Sequence, residues 1–88
     1  MPIKNIYHNN LLSTLDLTNN TKLELLWCQQ NNLTSLNLSN NSKLTEIMLN
    51  DNPSLQEVCV WVMPFPPEGV YIRSFRSPGI YFTTDCSK

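Results

Sequence analysis

The chain carries few charged residues, and this scarcity excludes several kinds of partner. Only 15% of its residues are charged, and the formal net charge is -1. Binding to nucleic acid or to an anionic membrane surface needs a basic patch, which so few charges do not supply. We therefore expect no nucleic-acid partner.

Long apolar runs are lacking too. A transmembrane helix needs about 18 or more consecutive apolar residues; the sequence has no such run, so we expect no membrane insertion. Residues 1–4 also lack the apolar core of a signal peptide. The sequence fits a cytoplasmic protein, or a secreted or cell-surface protein whose signal peptide and earlier repeats lie outside this chain. We favour the second, because Ile3 and Ile6 already stand at repeat positions without a polar cap before them.

Residues that carry chemistry are scarce. The two glycines, Gly69 and Gly79, form no phosphate-binding loop. His8 is the only histidine. It falls one repeat before Cys28, but no third ligand follows in that row, and a zinc site needs three or four. We predict no enzyme activity, no catalytic residue, no cofactor and no metal site.

What the chain does have is an internal repeat of about 21 residues. The clearest copy, residues 23–43, reads LELLWCQQNNLTSLNLSNNSK and consists of two similar halves. In each half, apolar residues stand at positions 0, 3 and 5, and an asparagine stands at position 8. The two sets are Leu23, Leu26, Cys28 and Asn31, then Leu33, Leu36, Leu38 and Asn41. Further halves begin at Leu12, Leu44 and Leu55, and a weaker one begins at Ile3.

This spacing predicts short strands that stack. Positions 3 and 5 are two residues apart, so both point to one face of a strand, and position 4 points outward. One half cannot bury its leucines alone, so successive copies must stack and share a core. The halves that begin at Ile3, Leu23 and Leu44 should form one parallel sheet, and those that begin at Leu12, Leu33 and Leu55 the opposite wall. The asparagine amide should satisfy backbone groups inside the turns.

The pattern L-x-x-L-x-L/C-x-x-N resembles a leucine-rich repeat, and the alternation of its halves is similar to the short repeats of Bacteroidetes-type bacterial proteins. The resemblance covers residues 3–60. It implies a leucine-rich repeat solenoid that is mostly β with little or no helix, and it implies a protein partner. We assign residues 1–60 to this solenoid, with about three coils, and residues 61–88 to a C-terminal cap of the same compact domain.

The cap is predicted to be a small β-hairpin. Three prolines at positions 64, 66 and 67 prevent residues 61–67 from continuing the sheets. Residues 70–75 and 80–84 alternate like strands, and residues 77–79, SPG, form a turn between them. The hairpin should cover the last leucine row and the final sheet edge.

The three cysteines receive different roles. Cys28 stands at an inward position and should be a buried thiol. Cys59 points outward beside the cap and Cys86 lies near its end, so we predict a Cys59–Cys86 disulfide and an oxidising compartment. A closing cysteine in a cap is also what the family resemblance implies. The alternative is three free thiols in a cytosolic protein.

One outward stripe is the candidate binding face. Tyr7, Trp27 and Met48 fall about one repeat apart at position 4, and Leu25 lies two residues before Trp27. Contiguous large apolar side chains on a surface tend to mark contacts. The alternative is an aromatic ladder that only stabilises the sheet.

These observations leave three hypotheses for function. The chain is a protein-interaction module or display scaffold of a secreted or surface bacterial protein, a structural spacer or terminal stump of a longer solenoid, or a glycan binder that stacks sugars on Tyr7 and Trp27. We also predict a homodimer through the uncapped N-terminal coil, at Ile3, Ile6, Leu11 and Leu12. The alternative is that residues 1–2 cover that end.

Overall fold

The fold consists of very short strands joined by turns. The computed structural model describes residues 3–6 and 13–86, with the side chains of Asn5 and Ile6 excepted. Within these ranges the chain has no helix, as predicted, and its strands are three residues long. They are β1 (Lys4–Ile6), β2 (Leu25–Trp27), β3 (Ser35–Asn37), β4 (Glu46–Met48), β5 (Glu57–Cys59), β6 (Tyr71–Arg73) and β7 (Tyr81–Thr83). The described part of the chain also has no helix that could span a membrane.

The strands form two parallel sheets. One sheet has four strands in the order β1-β2-β4-β6, and the other has three in the order β3-β5-β7. From β2 to β7 the chain alternates between them. This confirms the predicted partition of the half-repeats, except that the half beginning at Leu12 contains no strand in its described part.

The inward side chains of both sheets form one core. The central residues of β2 and β4, Leu26 and Ile47, are in register and fully buried. Residues at repeat positions 0, 3 and 5 fill the space between the sheets, as predicted. The buried set is Leu17, Leu23, Leu26, Cys28, Leu33, Leu36, Leu38, Leu44, Ile47, Leu49, Leu55, Val58 and Val60. Removing this apolar surface from water is the main favourable term in folding.

Three of the asparagines at position 8, Asn31, Asn41 and Asn52, are also buried, and their amides bind backbone groups as expected. Asn20, at the same position of the half that begins at Leu12, is exposed. The Asn52 side chain shows this backbone binding clearly. Its Nδ2 donates to the carbonyl oxygens of Cys28 (3.1 Å), Leu49 (3.2 Å) and Asn50 (3.2 Å), and its Oδ1 accepts from the Leu33 N–H (3.3 Å). Asn52 therefore links two successive repeats and both sheets.

Asn41 has a similar role on the other side of the core. Its Nδ2 donates to the carbonyl oxygens of Leu17 (3.1 Å) and Asn20 (3.0 Å). The backbone around it forms consecutive tight turns, in which the Asn41 N–H donates to the Leu38 carbonyl and the Leu44 N–H donates to the Asn41 carbonyl. The Leu17 and Asn20 carbonyls also accept from backbone N–H groups of their own turn, so the Asn41 amide adds a second hydrogen bond to each and ties successive turns together.

Three residues with a left-handed backbone mark the turns that follow strands of the four-stranded sheet. Gln30, Asp51 and Arg76 have φ angles of 62°, 60° and 63°. They precede Asn31, Asn52 and Ser77 respectively, so one turn geometry recurs at three levels of the fold. Because Arg76 and Ser77 form the same turn, the turn geometry continues beyond residue 60, where the leucine pattern ends.

The predicted C-terminal hairpin is wrong. β6 pairs in parallel with β4 in one sheet, and β7 pairs in parallel with β5 in the other. Ser77 explains this path because its hydroxyl stands where earlier repeats have asparagine. It accepts from the Asn52 N–H (2.9 Å) and donates to the Leu49 carbonyl (2.6 Å), so the chain crosses to the second sheet at the usual turn.

The predicted register of the first strand is also wrong by one residue. We expected Tyr7 beside Trp27, but the strand pairing places Ile6 beside Trp27 and Lys4 beside Leu25. The structure keeps a strict 21-residue offset in this pairing, as it does between Trp27 and Met48. Because side chains alternate between the two faces of a strand, a shift of one residue exchanges the faces. Tyr7 itself lies outside the described residues.

Aromatic rings close the core near the last strands. Phe65 packs edge to face on Trp61, with ring centroids 5.1 Å apart, and lies 5.0 Å from the ring of Phe82. All three are partly buried against the core. Rings in these arrangements stabilise one another beyond the area that they bury. Trp61 and Phe65, although outside any strand, therefore contribute to the core.

Candidate functional site

The outer face of the four-stranded sheet brings together the largest set of apolar, aromatic and charged side chains. Strand pairing arranges them in two rows. One row is Lys4, Leu25, Glu46 and Tyr71, and the other contains Trp27, Met48 and Arg73. We call these seven residues the outer face. Of the predicted binding residues, the structure places Leu25, Trp27 and Met48 here.

Trp27 lies at the centre of the outer face and is half-buried. Its Nε1 donates a hydrogen bond to Oε2 of Glu46 (2.6 Å), and the Lys4 ammonium lies 4.6 Å from the ring centroid. A cation over an indole ring and a charged acceptor at its N–H are both attractive contacts. They fix the ring on a strand where Met48 is its neighbour in register and Leu25 stands two residues before it.

Tyr71 and Arg73 extend the outer face and were missed in the sequence. Arg73 Nε donates to the Tyr71 hydroxyl (2.8 Å), and Tyr71 is 50% exposed. The leucine frame ends at Val60, and β6 follows β4 at an offset of 25 residues, so the repeat does not point to these residues. The sequence signal for this strand is that Val70 and Ile72 stand two residues apart, so both point to the core and the residues between and after them point outward.

The outer face of the three-stranded sheet is smaller and polar. Its pairing aligns Ser35 with Glu57 and Tyr81. A cleft of about 150 Å³ is lined by Ser35, Leu36, Asn37, Glu57, Cys59 and Cys86. This surface offers hydrogen-bonding groups but no contiguous apolar area.

The predicted disulfide is present between Cys59 and Cys86, whose Cα atoms are 5.6 Å apart. Cys59 is only 2% exposed, although its position in β5 points outward, because Cys86 lies over it. Cys28 is a buried free thiol, as predicted. Burial raises the pKa of its thiol to about 12, so it is protonated and a poor nucleophile at neutral pH.

Tyr81 provides a test of the polar face. Its hydroxyl donates to Glu57 Oε1 (3.1 Å), and this bond raises the pKa of Tyr81 above its ordinary value of 10.0. The bond therefore contributes stability below pH 10 and loses it as pH rises through the folded pKa. We expect Glu57→Gln to lower the Tyr81 pKa, measured by ultraviolet titration of the phenolate.

Tyr81→Phe identifies the step in that titration. It should remove the phenolate transition that Glu57→Gln shifts, whereas Tyr71→Phe should leave that transition in place. An identical titration for Glu57→Gln and the unaltered protein would contradict the assigned hydrogen bond.

Several predicted residues lie outside the described part of the chain. These are His8 and, from the predicted dimer surface, Leu11 and Leu12; Ile3 of that surface is described and is 47% exposed. Among the described residues, no group of three or more His, Cys, Asp and Glu side chains could hold a metal ion. Comparisons with protein-family models, with curated proteins and with solved structures find no match to this chain.

Proposed function

We propose that the chain is a leucine-rich repeat solenoid that serves as a non-catalytic protein-interaction module, with the outer face of the four-stranded sheet as its contact surface. The observation that carries this proposal is the clustering of Leu25, Trp27 and Met48 on adjacent strands. The alternation of strands between two parallel sheets and the buried asparagines support the solenoid. In this proposal residues 61–88 end the stack and cover its core with aromatic rings.

The residue types favour a protein partner. Tryptophan, tyrosine, methionine and arginine are enriched at protein interfaces, and Trp27, Tyr71, Met48 and Arg73 share this face. The Lys4, Glu46 and Arg73 charges surround the apolar centre, as polar residues surround the centre of a typical interface.

The size of the patch limits the affinity. Burying roughly 400 Å² of it would yield about 10 kcal/mol at 25 cal/mol/Å². Association costs about 4–15 kcal/mol, so this face alone supports binding on the order of micromolar. Tighter binding would require further repeats beside it.

The disulfide supports a secreted or cell-surface location. Disulfides persist in oxidising compartments and are rare in the cytosol. The Cys59–Cys86 bond is therefore consistent with such a location.

Trp27→Ala tests the contact surface. We expect it to abolish capture of the partner from secreted and surface proteins of the source cells, while costing about 1 kcal/mol of stability as the loss of a half-buried cross-strand contact. The measurement is quantitative mass spectrometry of proteins retained by the immobilised chain, together with thermal unfolding. Ser35→Ala, an exposed change on the opposite sheet, is the matched control and should retain the partner.

The second candidate is a structural spacer, which the internal contacts of Trp27 favour. Its indole N–H is already bound by Glu46, and one ring face is covered by Lys4. If the chain is a spacer, Trp27→Ala would lower the melting temperature strongly. The unaltered protein and the variant would then retain the same proteins in the capture experiment. The covered ring face also leaves Trp27 less surface for stacking a sugar than the glycan hypothesis assumed.

A further inference from the structure

The open edge of β6 has backbone groups available for another strand. The Tyr71 N–H donates to the Thr45 carbonyl (2.8 Å), and the Arg73 carbonyl accepts from the Leu49 N–H (2.7 Å). Alternate residues of a parallel strand direct their N–H and C=O to the same neighbour. The N–H and C=O of Ile72 therefore point away from β4, to a side where no strand of the described residues pairs.

Exposed aromatic and basic side chains line this edge. Tyr71 is 50% exposed and Phe75 is 67% exposed, the highest value among the large apolar side chains with described burial. Phe75 is nevertheless held on a fixed backbone, because its N–H donates to Asn50 Oδ1 (2.9 Å) and its carbonyl accepts from the Asp51 N–H (2.8 Å). A rigidly presented aromatic ring can be buried by a partner at low entropic cost.

The charge along the edge is asymmetric. Arg73 and Arg76 lie at its C-terminal end, and Arg76 stacks over the Phe75 ring with its guanidinium carbon 4.9 Å from the centroid. One Arg76 nitrogen binds Asp51 at 3.2 Å, and the guanidinium has further N–H donors. Glu68, which is exposed, precedes the N-terminal end of β6. An anionic partner would therefore place its carboxylates beside Arg73 and Arg76.

We propose that the β6 edge is a docking site for an acidic, extended peptide segment of a partner protein, which adds to the four-stranded sheet as a fifth strand. Ile72 exchanges backbone hydrogen bonds with the peptide, and Arg73 and Arg76 bind its carboxylates. Added strands derive affinity from the backbone and specificity from alternate side chains. This site shares Tyr71 and Arg73 with the outer face but does not include Trp27. Trp27→Ala should therefore leave peptide binding at the β6 edge unchanged, which separates the two proposals.

The geometry specifies the peptide. Its residue beside Ile72 faces the core and is aliphatic, because Ile72 packs against the core. The residue beside Arg73 is Glu or Asp, and a second acidic residue two positions on reaches Arg76, since alternate side chains share a face. Ac-Thr-Val-Val-Glu-Val-Glu-NH2 and its reversed sequence are suitable probes for the two strand directions.

Nuclear magnetic resonance of the isotope-labelled protein tests the site. One of the two probes should shift the Ile72 amide resonance and slow its hydrogen exchange. Arg73→Glu should weaken that binding at least about tenfold, as expected for losing a charge-assisted hydrogen bond. Lys43→Glu makes the same charge change at an exposed position outside the strands and should weaken it much less.

A backbone-methylated probe separates strand addition from simple charge attraction. Methylation of the peptide nitrogen that binds the Ile72 carbonyl leaves every charge in place but removes the donor, so binding should be lost. Equal binding of the methylated probe, or binding that leaves the Ile72 amide unchanged, would overturn the proposal. So would the absence of binding by both probes at millimolar concentration.

Discussion

Asn52→Ala should destabilise the protein by about 3 kcal/mol, because it leaves the buried Leu33 N–H without its acceptor and creates a cavity where the amide was. Three carbonyls also lose the Nδ2 donor. Each of them keeps another donor, namely the Asn31 amide, the Ser77 hydroxyl or the Gln30 N–H. Asn52 is fully buried, so water cannot replace the amide without opening the core. A domain of 88 residues is stabilised by only about 4–13 kcal/mol, so this loss is a large share of the total.

Urea and thermal unfolding measure this effect. A loss of about 3 kcal/mol should lower the melting temperature by more than about 12 °C in a domain of this size. Asn32→Ala is the matched control because Asn32 is exposed, and it should change stability by less than about 0.5 kcal/mol. If both variants unfold at the same urea concentration, the buried amide is not essential to the turns.

The core could be predicted from the sequence because burial imposes a strict spacing. Leu26 and Cys28 are two residues apart and both fully buried, as are Ile47 and Leu49 in the next repeat. A polar residue at any of these positions would leave an unpaired group in the core. The asparagines were predictable for the same reason, since a buried turn needs a donor for its carbonyls.

The end of the fold could not be predicted in this way because different residues perform the same structural roles. Ser77 replaces the position-8 asparagine, and Phe82 stands in register with Val58. Paired residues of β2 and β4 are 21 positions apart in the sequence, whereas those of β4 and β6 are 25 apart. A repeat pattern with a constant period therefore does not detect β6. Residues 70–84 therefore resembled a hairpin, although each strand extends an existing sheet.

The candidate site was predictable only where it falls inside the regular repeats. Leu25, Trp27 and Met48 share the outer face because they stand at outward repeat positions. Tyr71 and Arg73 join it through β6, which lies beyond the leucine frame. Tyr7 was assigned to the face through a frame that was one residue off, and outward positions carry no packing constraint that would have revealed the error.

Removing the Cys59–Cys86 disulfide should cost roughly 3–4 kcal/mol, because the bond closes a long loop in the unfolded chain. The cysteines are 27 residues apart, and the chain-entropy model converts a loop of about this length into that free energy. The loop includes the aromatic cluster and both terminal strands, β6 and β7. We therefore expect Cys59→Ala with Cys86→Ala to lower the urea midpoint strongly without changing which residues form the core.

Reduction should reproduce the effect of the double substitution. Adding a thiol reductant should destabilise the unaltered protein by a similar amount and leave the double variant unchanged, since Cys28 has no partner to lose.

Thiol counting gives an independent check of the disulfide. The native, unreduced protein should show almost no reactive thiol, because Cys28 is buried and its pKa is raised to about 12. After unfolding without reductant one thiol should react, and after unfolding with reductant three should react. Three reactive thiols in the unreduced, unfolded protein would show that Cys59 and Cys86 are not bonded, and the oxidising compartment inferred from them would then lose its support.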